Sequence, residues 1–458
     1  MVSTVSLRTL FATFLLAALP AMAQVSEYKL SNGMKVIVKE DHRAPVVVSQ
    51  VWYRVGSSYE PDGITGISHA LEHMMFKGTE QYGPGEFSRI VSALGGSENA
   101  FTSRDYTAYF ETLAVEHLER ALELEADRMR NLLLDPAEFD KEIEVVKEER
   151  RLRTEDKPSG KLYEQFHAVA WRASPYSNPV IGWMNDLDNM TMQDLAEWYR
   201  LWYAPNNATL VVAGDVQPEE VLALAERYFG PIKPSEPAPM KPAAEPKQVG
   251  ETRVEVRAPA RQPYVLMGYK TPIVGSSEEP WEPYALYVLS SVLDGGDSAR
   301  LSRQLVRGTG IAASAGADYD SYSRLPGMFL LDGTPTEGHT AGELEQALRR
   351  EVATLSEQLI DEEELKRVVT QAVASKVYQA DSLFYQAMEI GMLDAIGLDW
   401  RLTESEIDAL KAVTPEQVRA VAQRYLVDDN LTVATLKPLP MDQKQARAAP
   451  VEGGRHGS

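Results

Sequence analysis

The chain has 458 residues, of which 44% are hydrophobic, and a formal net charge of -21. This length exceeds what one hydrophobic core usually supports, so we expect two or three domains. The strong negative charge argues against nucleic acid and anionic membrane surfaces as partners. Because there is no cysteine, disulfides and thiolate metal sites are excluded, and any transition metal must be held by histidine and carboxylate.

The first 23 residues are typical of a secretory signal peptide. One charged residue, Arg8, precedes an apolar run over residues 10–19, and the small residues AMA end at Ala23. An uncleaved membrane anchor is the alternative, but the run is shorter than the ~20 residues that span a bilayer. We therefore predict cleavage after Ala23 and a periplasmic or otherwise secreted protein without a membrane span.

Strand and helix patterns alternate through the first half. The segment 28–41 predicts a hairpin with an Asn-Gly turn, 46–55 a buried strand and 100–113 an alternating strand. Amphipathic helices are predicted over 85–96 and 118–134. This mixture of elements indicates an α+β fold.

A faint internal repeat lies on either side of a stretch that carries six prolines over residues 231–246. VGSSYEP at 55–61 recurs as VGSSEEP at 274–280, and two further segments recur in the same order. We predict two homologous α/β-sandwich domains joined by a Pro-rich linker. The predicted boundaries are 24–230 for the first domain, 231–250 for the linker, 251–438 for the second domain and 439–458 for a disordered tail.

The sequence HALEH at residues 69–73 places three polar side chains on one helical face. His69, Glu72 and His73 project together because residues three and four apart are neighbours on a helix. Two imidazoles at this spacing can bind one Zn²⁺, and the glutamate can act on a metal-bound water. The pattern is HxxEH, the inverse of HExxH. A solvated polar face is the alternative, which the apolar run at 74–76 disfavours.

A helix predicted to begin after Asp135 offers the third ligand. Glu142 and Glu149 are seven residues apart and therefore lie on the same stripe as Val145 and Val146, whereas Glu148 does not. Two glutamates on a buried face are costly unless a cation lies beside them. The alternative is that this highly charged helix is simply exposed.

The repeat provides an internal control for these residues. When the two halves are aligned, each proposed metal-site residue corresponds to a small or apolar one. His69, Glu72 and His73 align with Val288, Ser291 and Val292, and Glu142 and Glu149 align with Val368 and Ser375. The fold therefore does not require the polar set, which favours a functional role for it in the first half.

These motifs resemble those of the M16 family of zinc metallopeptidases, particularly its two-domain members. The resemblance implies two homologous domains that face each other across a cavity. It also implies one Zn²⁺ per chain held by His69, His73 and Glu149, with Glu72 as general base and Glu142 behind the ligands. Asn99, Ala100 and Phe101 match the strand edge on which peptide substrates lie.

One departure from the family concerns the second half. Single-subunit members carry an Arg and, seven residues later, a Tyr that reach the substrate. Here Arg307 matches the Arg, but the segment is one residue short and Ala313 stands where the Tyr is expected. We therefore expect a homologous partner subunit that carries the Arg/Tyr pair. The alternative is that Tyr319 or Tyr322 fills the role in a homodimer or monomer.

The resulting interpretation is a zinc-dependent endopeptidase that hydrolyses unfolded peptides bound as an added β-strand in an interdomain chamber. Glu72 would take a proton from zinc-bound water. Two alternatives belong to other classes, namely a non-catalytic assembly subunit of the M16 type and a periplasmic zinc-binding protein. Intact His69, Glu72, His73 and Glu149 argue against the first, and the absence of a His-rich loop argues against the second.

Overall fold

The computed structural model describes residues 25–237, 240–241 and 243–441. The predicted signal peptide and residues 442–458 of the predicted tail lie outside the described residues. Among the helices that are described, none is both long and apolar enough to cross a membrane.

The first half of the described chain forms a six-stranded sheet surrounded by helices. Its strands are β1 (Val25–Lys29), β2 (Lys35–Glu40), β3 (Val46–Tyr53), β4 (Ser97–Thr102), β5 (Thr107–Ala114) and β6 (Ala208–Gly214). Its helices are α1 (Ile67–Met74), α2 (Glu86–Ala93), α3 (Leu118–Arg130), α4 (Pro136–Arg150), α5 (Pro158–Ala170), α6 (Met184–Asn189), α7 (Met192–Trp202) and α8 (Pro218–Tyr228).

The second half forms a five-stranded sheet with its own helices. Its strands are β7 (Thr252–Pro259), β8 (Tyr264–Thr271), β9 (Ala312–Tyr319), β10 (Gly327–Pro335) and β11 (Leu431–Leu439). Its helices are α9 (Glu282–Asp294), α10 (Ala341–Glu357), α11 (Glu362–Gln379), α12 (Leu383–Ala395), α13 (Leu402–Lys411) and α14 (Pro415–Tyr425). Short π-helical turns occupy Arg151–Glu155 and Ser302–Val306.

The two sheets share one topology. Their strand orders are β1-β2-β6-β3-β5-β4 and β7-β11-β8-β10-β9. In each sheet the last strand pairs in parallel with an early one, β6 with β2 and β11 with β7. The remaining pairs are antiparallel. Apart from the extra β1, the sheets match strand for strand, which confirms the predicted duplicated α+β fold.

Each half buries a large apolar core between its sheet and its helices. The first core includes Val36, Val51 and Leu71, and the second includes Met267, Leu289 and Val433. These side chains alternate along the strands or recur at helical spacing, as an amphipathic element requires. At about 25 cal/mol per Å² of apolar surface removed from water, such cores supply most of the driving force for folding.

The other face of each sheet is covered by a helix from the opposite half. Helix α5 packs on β7 and β11, and α12 packs on β3 and β6. At the second contact Gly391 is required, because a Cβ there would lie 2.1 Å from Trp52 Nε1. The sequence repeat did not predict this exchange of helices. Its consequence is that α5, which belongs to the first half, is held rigidly by the second sheet.

Candidate metal centre

Helix α1 carries HALEH and is fixed at its N-terminus by a buried carboxylate. Glu60 accepts hydrogen bonds from the backbone N–H groups of Gly66 and Ser68, at 2.7 and 2.8 Å. Burial raises the pKa of Glu60 to about 7, and these two hydrogen bonds oppose that rise. Gly66 has a φ of 87° and allows a close approach, because a Cβ would lie 2.6 Å from the Ile181 carbonyl oxygen. The position of the first turn of α1 is therefore fixed by the Glu60 carboxylate and by the close packing of Gly66 against Ile181.

The two histidines of α1 lie on the same face and approach a glutamate of α4. His69 is 8% exposed, and its ring centroid is 4.8 Å from that of His73. The Nε2 atoms of His69 and His73 lie 3.7 and 3.4 Å from Glu149 Oε2. The side chains that HALEH contributes to the other face of the helix, Ala70 and Leu71, are buried in the first core. One face of α1 thus packs in the core, and the other face carries the polar side chains.

Helix α4 presents its glutamates at the border of its buried stripe. The stripe consists of Phe139, Ile143, Val146 and Arg150. Val145 was predicted to share this stripe, but it is 47% exposed. The side chain of Glu149 is 20% exposed, whereas that of Glu148 is 60% exposed and pairs with Arg151. The two adjacent glutamates therefore face different surroundings.

The candidate ligand atoms lie close enough together to surround one metal ion. One nitrogen from each histidine and one oxygen of Glu149 all lie within 4.8 Å of one another. Ligand atoms ~2.1 Å from a tetrahedral ion are roughly 3.4 Å apart, which matches the His73–Glu149 contact and is near the His69–Glu149 contact. Burial, with a smaller effect of His73, lowers the pKa of His69 to about 3. The ring is therefore neutral, the state that binds metal.

Glu142 lies behind the candidate ligands and contacts His73. Its Oε2 is 3.3 Å from His73 Nδ1, and its Oε1 is 2.5 Å from Lys77 Nζ. A carboxylate on the second ring nitrogen of a metal-binding histidine fixes the tautomer and the ring orientation. His69 has no such partner among the described residues, where its Nδ1 is buried without a hydrogen bond. Of the two histidines, His73 is thus the one whose ring is oriented by a carboxylate.

Glu72 belongs to the same face of α1 but bonds to a strand instead of α4. The Thr102 hydroxyl, at the end of β4, donates a hydrogen bond to Glu72 Oε2. Burial raises the pKa of Glu72, and the Thr102 hydrogen bond is the largest opposing effect. The carboxylate is held in one orientation beside the histidines and is more basic than an exposed glutamate.

A cleft of 690 Å³ contains the candidate centre and the outermost strand of the first sheet. Asn99, Ala100 and Phe101 line it from β4, next to Thr102. Among the lining residues that sequence reasoning missed are Arg104, Tyr163 and His167. Arg104 could have been predicted because it follows Asn99 by five residues in the same segment. The signal for His167 was its spacing of four from Tyr163 on a helix.

The structure does not bring the predicted second-half residues to this cleft. Arg307 is exposed and donates a hydrogen bond to the Asp297 carbonyl. Ala313 lies on β9, and the Tyr319 hydroxyl donates to the Pro272 carbonyl at 2.6 Å. Tyr322 packs in an apolar cluster between the halves. Arg307, Tyr319 and Tyr322 are not among the described residues that line the cleft, and their roles at the substrate stay predictions.

Comparison with known proteins identifies the family. The profile described as "Insulinase (Peptidase family M16)" matches residues 35–183, and "Peptidase M16 inactive domain" matches residues 189–372. Zinc protease PqqE of Helicobacter pylori is 33% identical over 89% of this chain and 92% of its own length. YmxG of Bacillus subtilis, described as an uncharacterized zinc protease, is 26% identical over 88% of this chain and 96% of its own length.

A solved structure agrees with these relatives. The crystal structure of a protease from Helicobacter pylori superimposes with a TM-score of 0.86 at 30% identity, and the match covers 91% of this chain and 100% of that one. The HxxEH helix, the duplicated topology and these matches over nearly the whole folded chain lead to one assignment. The chain belongs to the M16 family of peptidases.

Proposed function

We propose that this chain is a zinc-dependent endopeptidase that acts on unfolded peptides. The observation that carries the proposal is the convergence of His69, His73 and Glu149, with Glu72 beside them, in a cleft bordered by a strand edge. A zinc-binding protein without catalysis would have no use for a buried, oriented Glu72. The names of the relatives support a zinc protease as the class.

The residues divide the chemistry between binding and proton transfer. When bound at His69, His73 and Glu149, one zinc ion would polarise the scissile carbonyl and lower the pKa of a water molecule. Glu72 accepts the proton of the attacking water and delivers it to the leaving amine. Thr102 keeps the Glu72 carboxylate oriented for both transfers. Glu142 keeps the His73 ring in place.

The substrate is a peptide in extended form. In the described part of the chain β4 pairs with β5 alone, so its other edge offers backbone hydrogen bonds. Asn99, Ala100 and Phe101 lie along this strand and line the cleft. A peptide added as a further strand would gain main-chain hydrogen bonds regardless of its sequence. It would run directly past Glu72, which Thr102 of the same strand contacts.

A partner subunit and an extracytoplasmic location complete the proposal. Ala313 stands where the family has a tyrosine, and Arg307 lies away from the cleft. A homologous subunit that carries the Arg/Tyr pair would hold the peptide from the opposite side, and a homodimer is the fallback. The apolar N-terminal segment and the AMA sequence before residue 24 support export to the periplasm or the medium.

The test is cleavage of an unstructured, internally quenched peptide by the purified chain, with and without a homologous partner. We expect turnover that stops with a chelator and returns with zinc, while circular dichroism shows the fold unchanged. Zinc binding without cleavage under either condition would favour a zinc-binding protein. Assembly with the partner without a contribution of this chain's Glu72 to cleavage would favour a structural subunit.

A further inference from the structure

A second set of polar side chains lines the cleft beside the candidate metal centre. Arg104 follows the end of β4, and Tyr163 and His167 lie one turn apart on α5. The proposed hydrolysis uses none of these three. They are nevertheless part of the same 690 Å³ cleft as His69 and Glu72.

Arg104 is the lining cation whose charge is not balanced. The other one, Arg153, pairs with Glu149 at 2.9 Å. The Nη2 of Arg104 instead lies 3.2 Å from His167 Nε2, and its guanidinium is 5.3 Å from the Tyr176 ring centroid. Within the described residues Arg104 forms no ion pair with a carboxylate. It is only partly exposed, and this burial lowers its pKa. Burying a cation without a carboxylate partner costs free energy, and a bound anion would offset that cost.

The charges of two carboxylates, Asp105 and Asp320, oppose the lowering of the Arg104 pKa, but among the described residues neither forms an ion pair with Arg104. Asp105, its neighbour in the chain, is already engaged. Asp105 is 4% exposed. It accepts hydrogen bonds from the Ser58 hydroxyl at 2.7 Å and from the Arg324 backbone N–H at 3.0 Å, as well as from the Tyr176 hydroxyl. These bonds hold both oxygens of Asp105 in a contact with the second half. Asp105 is therefore oriented towards these donors and not towards the guanidinium of Arg104.

His167 contacts Arg104 and orients it in the wall of the cleft. A guanidinium can only donate, so His167 Nε2 must accept from Arg104 and the ring hydrogen must sit on Nδ1. That Nδ1 atom is buried, and no residue in the described part of the chain accepts a hydrogen bond from it. Burial, with a smaller effect of the Arg104 charge, lowers the pKa of His167 well below its usual value, so the ring is neutral. The one acceptor of the pair, His167 Nε2, is therefore already used by Arg104, and the remaining guanidinium N–H groups are left to donate to a ligand.

Both residues are positioned by the backbone before any ligand arrives. The Arg104 carbonyl accepts from the Ser58 N–H at 2.7 Å. This approach depends on Gly56, where a Cβ would lie 2.3 Å from the Ser103 carbonyl oxygen. On α5, Phe166 is fully buried in the cluster that joins this helix to the second sheet. Rigid support of this kind is what a binding site requires.

We propose that Arg104, oriented by His167, forms a subsite for a carboxylate of the peptide substrate near the scissile bond. This inference rests on the proposed endopeptidase function and adds a specificity to it. A guanidinium suits a carboxylate because two parallel N–H groups can bind its two oxygens. The carboxylate comes either from an Asp or Glu side chain or from the C-terminus of a short peptide, and the two sources share the same chemistry.

The test compares quenched peptides that differ only by Glu or Gln at each position around the scissile bond, with a free or an amidated C-terminus. The zinc-loaded protein, with its partner if one is needed, should favour Glu at one position, or the free C-terminus, by roughly 10-fold or more in kcat/KM. Arg104→Gln should bring that ratio to about one, and Arg104→Lys should retain part of it. Arg350→Gln, on the exposed side of α10, should leave the ratio unchanged.

A binding measurement separates this inference from the proposed hydrolysis. Calorimetry of the same peptides on zinc-loaded Glu72→Gln protein, with and without Arg104→Lys, reports the preference without turnover. Equal affinities for Glu and Gln peptides and for free and amidated ends would overturn the subsite, whatever the activity. A preference that is retained in binding while wild-type protein cleaves no peptide would overturn hydrolysis and leave the subsite standing.

Discussion

The same pair of helices occurs in both halves of the molecule with opposite chemistry. In the first half α1 and α4 bring His69, His73 and Glu149 together. In the second half their counterparts are α9 and α11. There the residues aligned with His69 and His73 are Val288 and Val292, which are 0% and 1% exposed in the second core.

The comparison shows what the fold itself needs at these positions. Val368, the counterpart of Glu142, is also buried in the second core. Apolar side chains therefore satisfy this helix pair, and the first half gives up packing there in exchange for a polar cluster. Proteins retain such buried polar groups chiefly at functional sites.

A similar contrast occurs at the start of the two helices. Glu60 is 6% exposed and caps α1 through two backbone N–H groups. Its counterpart in the repeated VGSS segment, Glu279, is exposed. In the second half a different residue is the buried carboxylate at this point, because Glu282, the first residue of α9, is 0% exposed and accepts from the Glu279 N–H at 3.5 Å. The two halves therefore use different carboxylates at the start of these helices.

The largest effect is expected from removing Glu72, the proposed general base. Glu72→Gln should lower kcat by about 10²- to 10⁴-fold because an amide cannot carry the proton of the attacking water. Zinc content and the unfolding midpoint should stay close to wild type. Ser291→Ala, at the aligned position of the second half, is the matched control and should keep full activity. Similar losses of activity in the two variants would show that the two halves do not differ in catalytic role.

Metal affinity should distinguish two neighbouring glutamates of α4. Glu149→Gln should weaken zinc binding by about 100-fold or more, since even residues behind metal ligands contribute 10- to 100-fold. Glu148→Gln should change it little, because its side chain points to solvent. Competition with a chromophoric chelator measures both. Equal losses would show that the helical face does not determine the ligand.

The cap of α1 predicts a pH dependence of stability. The folded-state pKa of Glu60 is raised from 4.5 to about 7, so the folded chain holds a proton that the unfolded chain releases between these values. The stabilisation is complete below pH 4.5 and is lost as the pH rises through 7. The free energy of unfolding of wild type minus that of Glu60→Gln should therefore fall by up to about 3 kcal/mol from pH 4 to pH 8.

Urea unfolding of the metal-free proteins across this range measures the difference. Glu279→Gln controls for the introduction of an amide at the exposed counterpart. If the Glu60 and Glu279 differences follow the same curve, the carboxylate of Glu60 does not act as a buried cap.

Exchanging aligned side chains between the halves should change the free energy of unfolding by small amounts of opposite sign. In metal-free protein His69→Val should stabilise by about 1 kcal/mol, because the buried Nδ1 has no partner. Val288→His should destabilise by about 1–3 kcal/mol, since it places an unpaired polar ring in an apolar core. Chemical denaturation in the presence of a chelator tests both. Destabilisation by His69→Val would mean that the histidine is part of the packing.

Features that depend on local sequence could be predicted in this molecule, whereas features that depend on contacts between distant segments could not. The helical spacing of HALEH and of Glu142 with Glu149 is a property of the local chain, so sequence reasoning anticipated their common faces. The exposure of Val145 depends on which neighbours α4 meets, and the exchange of α5 and α12 depends on how the halves pack. For the same reason the sequence did not reveal that Arg104 and His167 contact each other in the wall of the cleft.

The location of the metal tests the central claim most directly. We would crystallise the zinc-loaded protein and record anomalous diffraction on both sides of the zinc absorption edge. The account predicts one strong peak per chain, ~2.0–2.2 Å from His69, His73 and Glu149, and none between α9 and α11. A peak elsewhere, or none at this position in a protein that cleaves peptides, would contradict it.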